Sequence, residues 1–350
     1  MKILENNLIT AVASSASHLS SSYVIANAET DVVSQPYIAN ATSCNITVTV
    51  ASGMNSFFIF GLLADSGTVS LDDSAATSGS ISINTTQYSS LGQLANNTTN
   101  RISPEWFNFT KDGASITRVD TGSVLAGCTI TLALATSTDR KATQVKGNAI
   151  HQWDQSSGAT GRFEDSSGAA INLIDFANVM IGSICTIGGS DYQVIKIIGD
   201  GTGVTDVTLS GSPSDATVTA LKNPIKLGIV QAGVALSVEN PQIGMGQSFQ
   251  DYSIRRPIFD GGLSQKQRNV CKMYSISSIM SDANTQSFEG FYRAFRSKPF
   301  PAIVTHGMPA GANEDTRNSG FFYFQGPPSF EYIQNLGTIS AIVFDIHEVI

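Results

Sequence analysis

Apolar and polar residues alternate in steps of two along most of this chain. The stretch at 45–51 (NITVTVA) and that at 129–135 (TITLALA) both show it, with β-branched residues on one side and polar residues on the other. That period puts one face of each segment against a core and the other in water, which is the pattern of a half-buried strand. Further strands are predicted at 23–25, 57–63, 67–71, 80–84 and 115–120, separated by clusters of Ser, Gly, Asn and Asp. No segment of ten residues in 1–145 carries a helical period. Short strands at this spacing predict a two-sheet β-sandwich over 1–145.

The texture changes over 146–225. Strands predicted at 184–187, 192–198 and 204–209 flank the turn phrases GGSD and GDGTG. Such a meander has the content of a small β-barrel. GDGTG is read as a hairpin turn, because a phosphate cradle needs glycines leading into a helix N-terminus and here a strand follows. Asp200 and Asp206 do not complete a calcium-loop spacing.

The third region, 226–350, holds the one clear helical stripe. Phe288, Phe291, Tyr292 and Phe295 fall at i, i+3, i+4 and i+7, so all four share one face. Asp282 or Asn284 is the expected cap, Glu289 and Arg293 form an i, i+4 pair, and Pro299 is the expected stop. Gly290 weakens this helix, so packing must hold it. Before it run GVALSVEN, SFQDYSIRRPIFDG and QRNVCKMYSISSI; after it PAIVTH, SGFFYFQG and TISAIVFDIHEVI. One helix across an antiparallel sheet is an α+β arrangement. The expected fold is therefore mainly β and multidomain, with boundaries near 145 and 225.

Charge narrows the function. The chain of 350 residues carries a net charge of −8, and only 14% of its residues are charged. This excludes a general nucleic-acid binder, whose affinity comes from neutralising phosphates. Residues 1–139 hold 10 acidic and 4 basic side chains, while 255–298 hold 8 basic and 3 acidic, a local +5. That basic cluster comprises Arg255, Arg256, Lys266, Arg268, Lys272, Arg293, Arg296 and Lys298. The longest apolar run, 57–64, is too short to cross a bilayer, and no signal peptide is expected at the start. Cys44, Cys128, Cys185 and Cys271 show no metal-site spacing. They read as core thiols, with a Cys44–Cys128 bridge as the alternative.

Two stretches carry a resemblance. The order YSIRRPIFDGG, CKMYSISSIMSDANTQSFEGFYRAF, KPFPAIVT, FFYFQG, TISAIVFDIHEVI resembles the tube-type domain of tailed-bacteriophage distal tail and baseplate proteins, over about 120 residues. The opening NNLITAVASSASHLSSSYVIANA is similar to phage tail proteins that begin with a galactose-binding-like sandwich. The long GMPAGANEDTRNSG loop departs from the family's pattern. The resemblance implies a structural virion protein of the tail tip, assembled in the host cytoplasm as a homo-oligomer, usually a six-membered ring. Its implied partners are the tail tube, the hub and other baseplate or fibre proteins, together with a host-surface glycan. The basic cluster would then dock on neighbouring subunits.

No catalytic constellation emerges. His18, His151, His306 and His347 are far apart, no GxSxG, HExxH or phosphate-loop phrase occurs, and Glu164–Asp165 reads as a surface turn. No catalytic residue, metal or cofactor is expected. Trp106 and Trp153 are the candidates for sugar stacking, each weighed against a role as a core or inter-domain plug. The alternative function is a multidomain carbohydrate-binding or adhesion protein with no ring-forming role.

Overall fold

The computed structural model describes residues 1–30, 35–51, 54, 56–73, 76–83, 105–109, 116–117, 128–139, 141, 149–171, 179–199, 205–238, 246–251, 254–257, 263–266, 270–304, 319–332 and 339–349. The protein is mainly β and multidomain, and every strand pair among the described residues is antiparallel. One five-stranded sheet runs in the order Ile9–Ser14, Ser43–Val50, Cys128–Ala135, Ser66–Asp73, Ala76–Ile83. A four-stranded sheet, Ile229–Gly233, Ser56–Phe60, Glu105–Phe109, Ile116–Thr117, faces it. Ile46, Val48, Ile130 and Leu132 from the first pack with Phe57, Ile59 and Val230 from the second in one buried core. This is the sandwich that the period-two segments predict. The stretch at 23–25 is not a strand: a 3-10 helix spans Ile25–Glu29.

A closed barrel follows, in the order Gln152–Ser157, Thr160–Glu164, Thr205–Leu209, Ser190–Gly199, Ile184–Ile187, Ala216–Lys222. The GGSD phrase forms its tight turn. Ile187 pairs with Ser190, and Gly188 and Gly189 between them take φ of 56° and 86°, conformations that favour glycine in a two-residue hairpin loop. Gly199 opposite Thr205 bounds the second hairpin.

The C-terminal sheet has eight strands: β1 (Lys2–Leu4), β2 (Ala235–Ser237), β3 (Gly246–Asp251), β4 (Val270–Ser281), β5 (Phe300–Ile303), β6 (Ser319–Phe324), β7 (Ser329–Tyr332) and β8 (Ile339–Glu348). Their order is β2-β1-β5-β6-β8-β4-β3, with β7 beside β8 in line with β6. Helix α1 (Asp282–Phe295) lies on one face. Two segments cross the boundaries expected from sequence. β1, at the start of the chain, pairs with β2 and β5 in the last region. Conversely, Lys226–Leu227 and Ile229–Gly233 pair with Tyr37–Ile38 and Ser56–Phe60 in the sandwich. Strands of two to five residues show too little alternation for sequence to assign them to a sheet.

Ser56–Phe60 is covered on both faces. Phe57 and Ile59 enter the sandwich core, whereas Phe58 and Phe60 meet Phe321 of β6 at 6.4 and 6.0 Å between ring centroids. Leu4 and Ile229 complete this second apolar layer, which ties the sandwich to the back of the C-terminal sheet.

Candidate assembly interface

The site is built on α1 and the sheet beneath it. Ser281, one residue before the expected cap, closes the helix start: its hydroxyl accepts from the Asn284 N–H at 3.4 Å. Asp282 instead occupies the first turn, where a negative charge complements the helix dipole, and its carboxylate accepts from Ser340 Oγ at 3.3 Å. The stripe read from sequence is the buried one. Phe288 and Phe291 are enclosed, and Tyr292 and Phe295 pack at their flank. Phe288 meets Phe344 at 4.9 Å, and Phe291 meets Phe300 at 5.0 Å. The helix ends at Phe295, before Pro299, and the Lys298 N–H returns to the Phe295 carbonyl at 3.1 Å.

On the outer side of α1, Arg293, Arg296 and Lys298 are exposed. Glu289 sits beneath them, accepting from Tyr332 Oη at 3.0 Å and lying 3.8 Å from Arg293. That hydrogen bond raises the Tyr332 pKa above the usual phenol value. Arg255, Arg256 and Lys266 lie elsewhere, on a separate two-stranded hairpin, Ile254–Pro257 with Leu263–Lys266. Arg268 is outside the described residues. Lys272 faces inward to a partner: its Nζ lies 3.9 Å from Glu348, which also accepts from the Lys272 N–H. Seven of the eight basic residues thus divide among the outer side and C-terminal end of α1, a hairpin and an internal ion pair.

The margins of the sheets differ in how they are finished. In the sandwich, Ile9–Ser14 is a terminal strand, and the Glu29 carboxylate of the 3-10 helix accepts from its Val12 N–H at 2.8 Å. A side chain laid along an edge in this way blocks pairing with another chain. In the C-terminal sheet, β3 ends the strand order with nearly every residue exposed, including Phe249 at 63%. β7 has β8 on one side and no strand on the other among the described residues, and it exposes Tyr332 at 62%. Sequence reading missed both aromatics. The signals were there: Phe249 interrupts a polar run in QSFQD, and Tyr332 follows the PP break in GPPSFEY.

Trp153 is not available to a sugar. It is fully buried in the barrel core, edge-on to Phe163 at 5.4 Å, so no indole face is free to stack. Trp106 lies on Glu105–Phe109, opposite Phe58 in register. The Cys44–Cys128 bridge is ruled out by register, since Cys44 pairs with Leu134 and Cys128 with Val50 at opposite ends of one strand pair. Cys44, Cys185 and Cys271 are free and buried. Burial pushes the Cys44 thiol up to about 11, which leaves it unreactive as a nucleophile near neutral pH.

Asp165 is committed to its turn, its Oδ1 accepting from Ser167 N, Ser167 Oγ and Ala169 N. Among the described residues no group of three His, Cys, Asp or Glu side chains is placed to hold a metal. No helix among them is long and apolar enough to cross a membrane. Comparison with known proteins gave no match to any family, curated protein or solved structure.

Proposed function

We propose that this chain is a structural component of a bacteriophage tail tip or baseplate, a distal-tail-like ring protein of the virion that joins the tail tube to the hub or fibres. One observation carries the reading. Two margins of the C-terminal sheet, at the terminal strand β3 and at β7 beside β8, each bear an exposed aromatic, while the sandwich blocks a comparable edge with Glu29. Open strand edges are templates for another chain, and proteins that stay monomeric generally cover them. A head-to-tail contact about a symmetry axis uses two different margins per subunit and covers both of them once the ring closes. The exposed Arg293, Arg296 and Lys298 then suit contact with acidic surfaces of adjoining tail proteins. The sandwich sits at the periphery of such a ring, as decoration or as a glycan-contacting module.

Light scattering and negative-stain microscopy of the purified full chain test this. The expected particle is a closed ring of about six copies, the number the family resemblance implies. A chain that stays monomeric at high concentration and binds sugars would instead be the carbohydrate-binding protein, and the ring reading would fall.

A further inference from the structure

The geometry points to a specific contact between copies: β7 of one copy pairs with β3 of the next, with Phe249 set against Tyr332. This inference rests on the ring reading and names the edges that would build the ring. Phe249 and Tyr332 are the two most exposed large apolar side chains among the described residues. Each lies on an open margin of the same sheet, and both lie on the helix-covered face. Phe249 is opposite Lys272, two residues from the buried Tyr274, and Tyr332 is opposite Ser340, which pairs with the buried Met280. Directly opposed residues share a face, and so do residues two apart. Two such aromatics brought side by side form a cross-strand pair.

Strand direction agrees. β3 is antiparallel to β4, β4 to β8, and β8 to β7, so β3 and β7 run in opposite directions. Setting the next copy's β3 beside β7 therefore continues the sheet in the antiparallel sense. Pairing β3 with β3 would leave β7 exposed, whereas the β7–β3 contact covers both margins.

The paired aromatics choose the register: with Phe249 opposite Tyr332, Gln250 falls opposite Glu331 and Asp251 opposite Phe330. Phe249 is level with Lys272 and Tyr332 with Met280, so successive copies step along the strands, and the strands tilt to the ring axis as sheet closure requires.

The test uses the full chain with p-benzoylphenylalanine at position 249, mixing isotopically light and heavy copies before irradiation. The expected result is a ladder of covalent multimers whose mixed-isotope cross-links map to residues 329–332. In parallel, Phe249→Ser and Tyr332→Ser are each expected to weaken self-association by roughly tenfold or more, while Tyr332→Phe retains it. Both positions are exposed, so each variant should keep the wild-type far-ultraviolet circular dichroism spectrum, which separates lost association from a lost fold. Cross-links between two copies of β3, or oligomers of unchanged affinity with cross-links elsewhere, overturn this contact and leave the ring reading standing. A chain that is monomeric throughout overturns both.

Discussion

His347 is a titratable group that the fold encloses without serving it well. It is 3% exposed, its Nε2 has no hydrogen-bond partner among the described residues, and its Nδ1 lies 3.5 Å from Tyr323 Oη. Burial lowers its pKa below the ordinary imidazole value, against the opposing pull of the Asp345 charge. In the unfolded chain the same ring titrates near 6.5. As pH falls through that value the unfolded chain takes up a proton that the folded chain refuses. The stability held above about pH 6.5 is therefore lost progressively below it, until the lowered folded value is reached. Urea midpoints measured between pH 7.5 and 5 should fall for the wild type and fall less for His347→Phe, which keeps an aromatic ring beside Tyr323. Parallel curves would show that His347 does not control the acid limb.

Helix α1 is the element in which packing and propensity separate most clearly. Phe288 is fully buried among Phe291, Phe324, Phe330 and Phe344, so Phe288→Ala removes contacts and leaves a cavity worth about 3–5 kcal/mol. Two residues on, a methyl group added at Gly290 would meet no atom within 4 Å. Gly290→Ala should therefore stabilise by roughly 0.5–1 kcal/mol through helix propensity and a less flexible unfolded chain. Denaturant titration of the two variants should give shifts of opposite sign, and a destabilised Gly290→Ala would mean that the helix is held in a geometry a side chain disturbs. The stripe was legible in sequence because four aromatics at helical spacing admit one face. The cap was not: Ser281, Asp282 and Asn284 are all good capping residues, and only the point where β4 ends selects the first. Likewise Phe249 and Tyr332 sit on strands of six and four residues whose burial is decided by absent neighbours, which a period along one strand does not encode.

At the scale of the whole molecule, the three bodies are less equal than their order along the chain suggests. The sandwich and the C-terminal sheet share strands across the chain ends and are joined by Phe58, Phe60 and Phe321. The barrel shares none of these cores; its own cluster is drawn from residues 150–221. It is instead clasped in place by polar contacts. Asp139 accepts from the Leu221 N–H at 3.0 Å, Lys141 Nζ donates to the Thr219 carbonyl at 2.8 Å, and Gln193 Nε2 donates to the Ala39 carbonyl at 2.7 Å. The Asp139–Leu221 bond also sets the barrel's entry and exit side by side, so a flexible linker of about four residues can bridge them once 141–222 is excised. Because no apolar cluster of the remaining bodies uses the removed segment, the shortened chain is expected to unfold in one cooperative transition and to self-associate with the same number of copies. Calorimetry and light scattering measure the two properties separately. Intact association without the barrel would assign it to contacts outside the ring, whereas failure to fold, or loss of association in a folded chain, would make it part of the ring's own framework.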